Sequence, residues 1–139
     1  MICKRPAATR GFAELPGQIQ SRRTFTFEGY RDWNYMNYSS LGIIYDDLVQ
    51  PGFHTPEHTH VNREIFGYVV AGPCWHTDRQ GRQHEVPSGA VQRMCAGRGL
   101  VHTEGNASNH PIRYLQLWIR SEQKNYAPEY AWHQFTRED

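Results

Sequence analysis

Two short stretches of the chain carry side chains of metal-ligand type at alternate positions: "HTHVNRE" at residues 58–64 and "HTE" at residues 102–104. In an extended strand, side chains two positions apart leave by the same face. His58 and His60 can therefore converge on one point, and so can His102 and Glu104. Either pair alone suits a polar strand face as well as a ligand pair. On facing strands of a small barrel the two pairs supply three imidazoles and one carboxylate. That set binds a first-row divalent ion and leaves coordination positions for water or substrate. Two carboxylates compete for the last protein ligand. Glu104 shares a face with His102 by its spacing and is the expected one. Glu64 then becomes an acceptor that orients a histidine, or a general base, with an ion pair to a nearby arginine as the plainer alternative. Three neutral imidazoles and one carboxylate leave a divalent ion with residual positive charge, which favours an anionic enolate, phenolate or carboxylate.

Six further residues are candidates for the wall of a pocket around such a site: His54, Glu57, Gln92, Met94, Gln116 and Trp118. Met94 and Trp118 suit a plain core equally well, and Gln116 a strand end. His76, His84, His110 and His133 read as solvent-facing or as local hydrogen-bond partners, and Cys95 as buried filler.

The elements that must position these residues are short strands. Runs rich in aromatic and β-branched residues ("RTFTFEGY", "LGIIYDDLV", "EIFGYVVAG", "CWHTD", "HEVPSG", "AVQRMCAG", "GLVHTEG" and "IRYLQLWI") stand between turn signals. Those signals are Pro51-Gly52, Gly72-Pro73, Gln80-Gly81, Pro87-Ser88-Gly89 and Gly97-Arg98-Gly99. Strands and turns at this interval predict an all-β sandwich or barrel. In "RYLQLWI", Leu115, Leu117 and Ile119 alternate with Tyr114, Gln116 and Trp118. The tail from Ser121 is read as an irregular segment of loop and short turns packed across the outside. With 139 residues and no linker, repeat or low-complexity tract, the chain is expected to form one domain, 1–139. Fifteen basic residues against 14 acidic ones give no field for direct nucleic-acid or membrane binding. Cys3, Cys74 and Cys95 are odd in number and scattered, which suits free thiols in a reducing compartment. No run has signal-peptide or membrane-span length, so a cytoplasmic protein is expected.

The spacing around the histidines carries more information than the pairs themselves. Five residues separate Gly52 from His58, one separates His58 from His60, three separate His60 from Glu64 and seven separate Glu64 from Gly72. This resembles the first motif of the cupin superfamily, and Gly81 followed after five residues by "PSG" resembles the opening of the second. The late histidine of "PSGAVQRMCAGRGLVHTEGN", with "FTFEGY", "LGIIYDDLVQPGFHTPEHTH", "WHTDRQG", "LQLWI" and "APEY" in order, resembles the pirins and pirin-like quercetin 2,3-dioxygenases. The resemblance covers almost the whole chain and corresponds to the N-terminal half of a typical pirin, most pirins carrying a second cupin domain. It implies a jelly-roll-like cupin β-barrel with His58, His60, His102 and Glu104 as metal ligands. Iron(II) is the expected ion, with nickel, copper, manganese or zinc as alternatives. Thr59, Val61 and Arg63 depart from the family pattern, and Val61 to Arg63 are where a changed substrate preference is expected.

The resemblance implies a metal-dependent cupin enzyme for a small phenolic or enolisable molecule, most sharply a quercetinase-like dioxygenase. A non-redox lyase, isomerase or cyclase using the ion as a Lewis acid is the second reading. A metal-binding regulatory protein acting through protein partners is the third. A homodimer covering an exposed sheet face is also expected.

Overall fold

The computed structural model describes residues 4–136. Strands form where β-branched and aromatic residues alternate, and the five expected Gly and Pro turns each follow the end of a strand. After a short 3-10 turn at Ala7–Thr9 come β1 (Gly11–Leu15), β2 (Ile19–Arg23), β3 (Leu41–Val49) and β4 (His58–His60). They are followed by β5 (Arg63–Ala71), β6 (Cys74–Asp78), β7 (Gln83–Val86) and β8 (Ala90–Cys95). The chain continues through β9 (Leu100–Gly105), β10 (Ile112–Arg120) and β11 (Glu129–Gln134). One sheet has the order β1-β2-β3-β10-β5-β8-β11 and the other β4-β9-β6-β7. Every pairing is antiparallel.

Alternation decides which residues face the interior. Along β3, Ile43, Tyr45, Asp47 and Val49 are buried, and along β5 the inward set is Ile65, Gly67 and Val69. On β10 the inward face is Ile112, Tyr114 and Gln116, while Leu115, Leu117 and Ile119 are half-buried on the other. An apolar cluster of Val49, Val69, Cys74, Val86, Ala90, Ile112 and Tyr114 joins the two sheets. Beside it the interior turns polar, with His60, His76, Gln92, His102, Glu104 and Gln116 all buried. The apolar cluster stabilises the frame that holds the polar group. Ile112 is wholly buried within it. Ile112→Ala should lower unfolding free energy by about 2–5 kcal/mol, read as a lowered urea midpoint at unchanged slope.

Two stretches fold differently from expectation. "RTFTFEGY" supplies only the end of β2 and an isolated bridge between Phe27 and Tyr30, because Glu28 and Gly29 both take positive φ and turn the chain. The tail contains β11, which adds to the edge of β8 from Glu129 opposite Cys95 to Gln134 opposite Ala90. Cys74 and Cys95 are buried free thiols, and Cys3 lies outside the described residues. Among the described residues no helix is long and apolar enough to cross a membrane.

Candidate metal centre

The smaller sheet brings the ligand-type residues together by register. His58 on β4 lies directly opposite His102 on β9, and Glu104 on β9 lies opposite His76 on β6. Directly opposed residues share a face. The alternate positions His58/His60 and His102/Glu104 therefore all look inward. His58, His60 and His102 each offer a nitrogen within 4.8 Å of the others, and their ring centroids are 4.5–5.1 Å apart. A second group at the same spacing consists of His76, His102 and Glu104. His102 belongs to both.

The hydrogen bonds fix how two of these rings present themselves. His58 Nδ1 is 2.9 Å from the carbonyl oxygen of Pro56, which can only accept, so Nδ1 carries the proton and Nε2 keeps its lone pair. His102 Nδ1 is 3.2 Å from His76 Nδ1, and His102 Nε2 is buried without a partner. An orphaned buried imidazole nitrogen is costly unless something fills it. Burial, aided by the neighbouring imidazoles, pushes His60 down to about 4 and His102 to about 2; His76, also buried, falls to about 4. All three are neutral at neutral pH, the form a metal ligand requires. Three convergent imidazoles, one with a buried nitrogen that has no partner, fit a divalent ion.

Glu104 is held from across the barrel. Gln116 on β10, Gly67 on β5 and Gln92 on β8 form one lateral row, each opposite the next. Gly67 leaves room in that row for the Gln92 side chain: a Cβ at Gly67 would lie 2.9 Å from it. Glu104 turns its carboxylate to both amides, Oε1 accepting from Gln92 Nε2 and Oε2 accepting from Gln116 Nε2 at 2.5 Å. Burial raises the Glu104 carboxyl despite these two amides. Each oxygen keeps a further lone pair, so the carboxylate remains competent as a ligand while its orientation is set from the opposite sheet.

A cavity of about 420 Å³ opens beside the imidazoles and includes His58, Glu104 and Gln116 in its lining. Phe53, Tyr45 and Trp118 give it aromatic walls, and Trp118 also packs edge-on against His60 with centroids 4.7 Å apart. The β1–β2 hairpin covers it with Ala13, Leu15 and Ile19. Asp47 lines the cavity too, only 5% exposed and with Oδ1 lacking a hydrogen-bond partner. Burial is the main cause that pushes its carboxyl up to about 7, opposed by a hydrogen bond from Ser21 and assisted by the charge of Glu104. Asp47 was not among the sequence candidates, although the alternation of Ile43, Tyr45 and Val49 places it on the inward face.

Several expected site residues lie elsewhere. Glu64 faces the outside, because Ile65, Gly67 and Val69 take the inward positions of β5. It accepts hydrogen bonds from Tyr126 Oη and from Ser121 Oγ at 3.1 Å, and its other oxygen is 3.6 Å from Arg93. It therefore neither orients a ligand histidine nor reaches the cavity as a base, and the arginine pairing describes it better. His54 and Glu57 are exposed and outside the cavity lining, whereas Phe53, Thr55 and Pro56 belong to it. Met94 is wholly buried core. Val61 to Arg63 are also outside the cavity lining. Asn62 takes positive φ there and anchors the tail, its Oδ1 accepting from the Asn125 amide at 2.8 Å. His76, expected to be solvent-facing or a local hydrogen-bond partner, is the latter: it is buried, with its Nδ1 against that of His102.

A family model described as Pirin matches residues 5–119. The Escherichia coli K12 protein named quercetin 2,3-dioxygenase is 38% identical over 136 residues, covering 97% of this chain and 58% of that protein. The pirin-like protein of Caulobacter vibrioides is 33% identical over 139 residues, covering 100% of this chain and 60% of that one. The crystal structure of the bacterial pirin YhhW from Escherichia coli in complex with nickel(II) matches with a TM-score of 0.90 at 36% identity, covering 95% of this chain and 57% of the other. The chain thus spans under two thirds of the length of these relatives.

Proposed function

This chain belongs to the pirin family, and on that premise we propose that it is a metal-dependent cupin enzyme for a flat, oxygenated small molecule, most sharply a quercetinase-like dioxygenase. The observation that carries the reading is the orphaned His102 Nε2 in a three-imidazole cluster, beside an aromatic-walled cavity that also holds Asp47. His58, His60 and His102 hold the ion, and Glu104 adds negative charge under the control of Gln92 and Gln116. A bound divalent ion supplies charge stabilisation for an enolate or phenolate and, when it is iron(II) or copper(II), a route for electrons to dioxygen. Iron(II) is our preferred ion; nickel(II) is the ion named for the Escherichia coli neighbour.

The chain's own residues do the rest. Tyr45, Phe53 and Trp118 take the faces of an aromatic ligand and exclude water from it. Asp47, with its carboxyl near neutrality, accepts the proton of a substrate hydroxyl and holds it within the cavity. The same pairing of an ion site with a proton-accepting carboxylate also serves a lyase or isomerase, so oxygen consumption decides between the two. Oxygen uptake by the iron-loaded protein with a panel of flavonols is the test. Uptake that disappears in His58→Ala and His102→Ala is the expected outcome. Turnover that proceeds unchanged without oxygen would move the assignment to Lewis-acid chemistry, and stoichiometric metal without turnover of any phenol or enol would move it to a binding role.

A further inference from the structure

The two halves of the ligand set are braced by different residues, His76 behind His102 and Gln92 behind Glu104. These braces meet at one side chain. Tyr130, on β11 of the tail, stacks its ring on His76 with centroids 3.9 Å apart and planes inclined by 14°. Its hydroxyl donates to Gln92 Oε1 at 3.2 Å. β11 delivers it there by pairing Tyr130 with Met94, two positions from Gln92 on β8.

The hydroxyl contact settles a choice that Gln92 cannot settle alone, and the stack sets the plane of the His76 ring. A Gln92 amide can present either its nitrogen or its oxygen to Glu104, and only the nitrogen attracts a carboxylate. A hydroxyl donating to Oε1 fixes the amide with Nε2 toward Glu104. The His102–His76 contact joins two Nδ1 atoms, so one must carry the proton and the other must accept it. With Nδ1–H on His102 donating to His76, His102 Nε2 keeps the lone pair that a metal ligand needs. The Tyr130 ring holds His76 in the plane that receives this bond.

We propose that Tyr130 is a positioning residue for the metal centre, fixing the His102 ring through the plane of His76 and the Glu104 carboxylate through Gln92. It follows that metal affinity depends on the tail strand β11, far in sequence from any ligand. The proposal rests on the metal-centre reading above, and the experiment separates the two.

Nickel(II) affinity of the whole chain is measured by chelator competition, and the ligand field by the visible spectrum of the cobalt(II)-loaded protein, for wild type, Tyr130→Phe and Tyr130→Leu. Removing an outer partner of a metal ligand typically lowers affinity by about 10–100-fold. Tyr130→Leu, which loses both contacts, should fall in that range and shift the cobalt spectrum. Tyr130→Phe keeps the stack and the core volume, and should lose a smaller part. Because the hydroxyl acts through Gln92, the Phe substitution should have no further effect in a Gln92→Leu background. Wild-type binding with equal affinity and an unchanged cobalt spectrum in both Tyr130 variants would overturn the positioning role alone. So would a full Tyr130→Phe effect in the Gln92→Leu background. Failure of wild type to bind nickel or cobalt would overturn the metal reading and the role of Tyr130 with it.

Discussion

Replacing His102 by alanine should abolish stoichiometric nickel(II) binding, a larger effect than the about 100-fold that loss of an outer partner costs. His102 is the one residue common to both clusters of ligand-type atoms, and its Nε2 is the buried imidazole nitrogen left without a partner. The loss should appear in stability as well as in affinity. A ligand that binds only the folded state at about 1,000 times its dissociation constant adds about 4 kcal/mol to unfolding. Wild type should therefore gain several degrees in Tm on adding nickel, while His102→Ala should gain none. His110→Ala is the control: this exposed histidine lies in the loop before β10, outside both clusters, and its loss should leave the nickel response intact. An equal nickel response in His102→Ala would place the ion elsewhere.

Much of this arrangement is legible in the sequence because it depends on period-two alternation and on turn residues. The His58/His60 and His102/Glu104 pairs needed only the knowledge that both lie on strands to be assigned shared faces. The runs that became β3, β5, β6, β7 and β8 end at or just before turns that contain Gly or Pro. Glu64 was misplaced for an equally physical reason. In "REIFGYVVA" both faces carry apolar residues, so local alternation does not say which is inward, and register against β10 decides it. His76 and Tyr130 were hidden because their importance is created by pairings between distant segments. β11 is mostly exposed and has no apolar alternation to announce it, and its place is set by the free edge of β8. The role of Gly67 is likewise invisible until Gln92 and Gln116 are seen on either side of it. Asp47 was the recoverable omission, since Ile43, Tyr45 and Val49 mark its face.

Asp47→Asn should make the protein more stable and less active at once. A carboxyl raised to about 7 in the folded state from 3.8 keeps its proton in the folded chain while the unfolded chain has lost it. Between these two values the folded state binds more protons, so stability falls as pH rises from about 4 to about 7 and levels off above it. At pH 8 the wild type thus carries a buried charge whose cost is on the order of 2–4 kcal/mol. An asparagine in the same place carries no charge, so urea unfolding of the metal-free variant should show that much extra stability at pH 8. The advantage should shrink steadily toward pH 4. Its other consequence is chemical. An amide cannot accept the substrate proton, and losing a general base typically costs about 100- to 10,000-fold in rate. Turnover should fall on that scale while nickel affinity stays near the wild-type value, because Asp47 belongs to neither group of ligand-type atoms. A variant equally stable at pH 8 would mean that Asp47 is ionised at no cost, with a partner for Oδ1 in the folded protein. A variant that is stabilised but fully active would leave Asp47 as a buried acid without a catalytic part, and would assign proton transfer to the Glu104 side of the cavity.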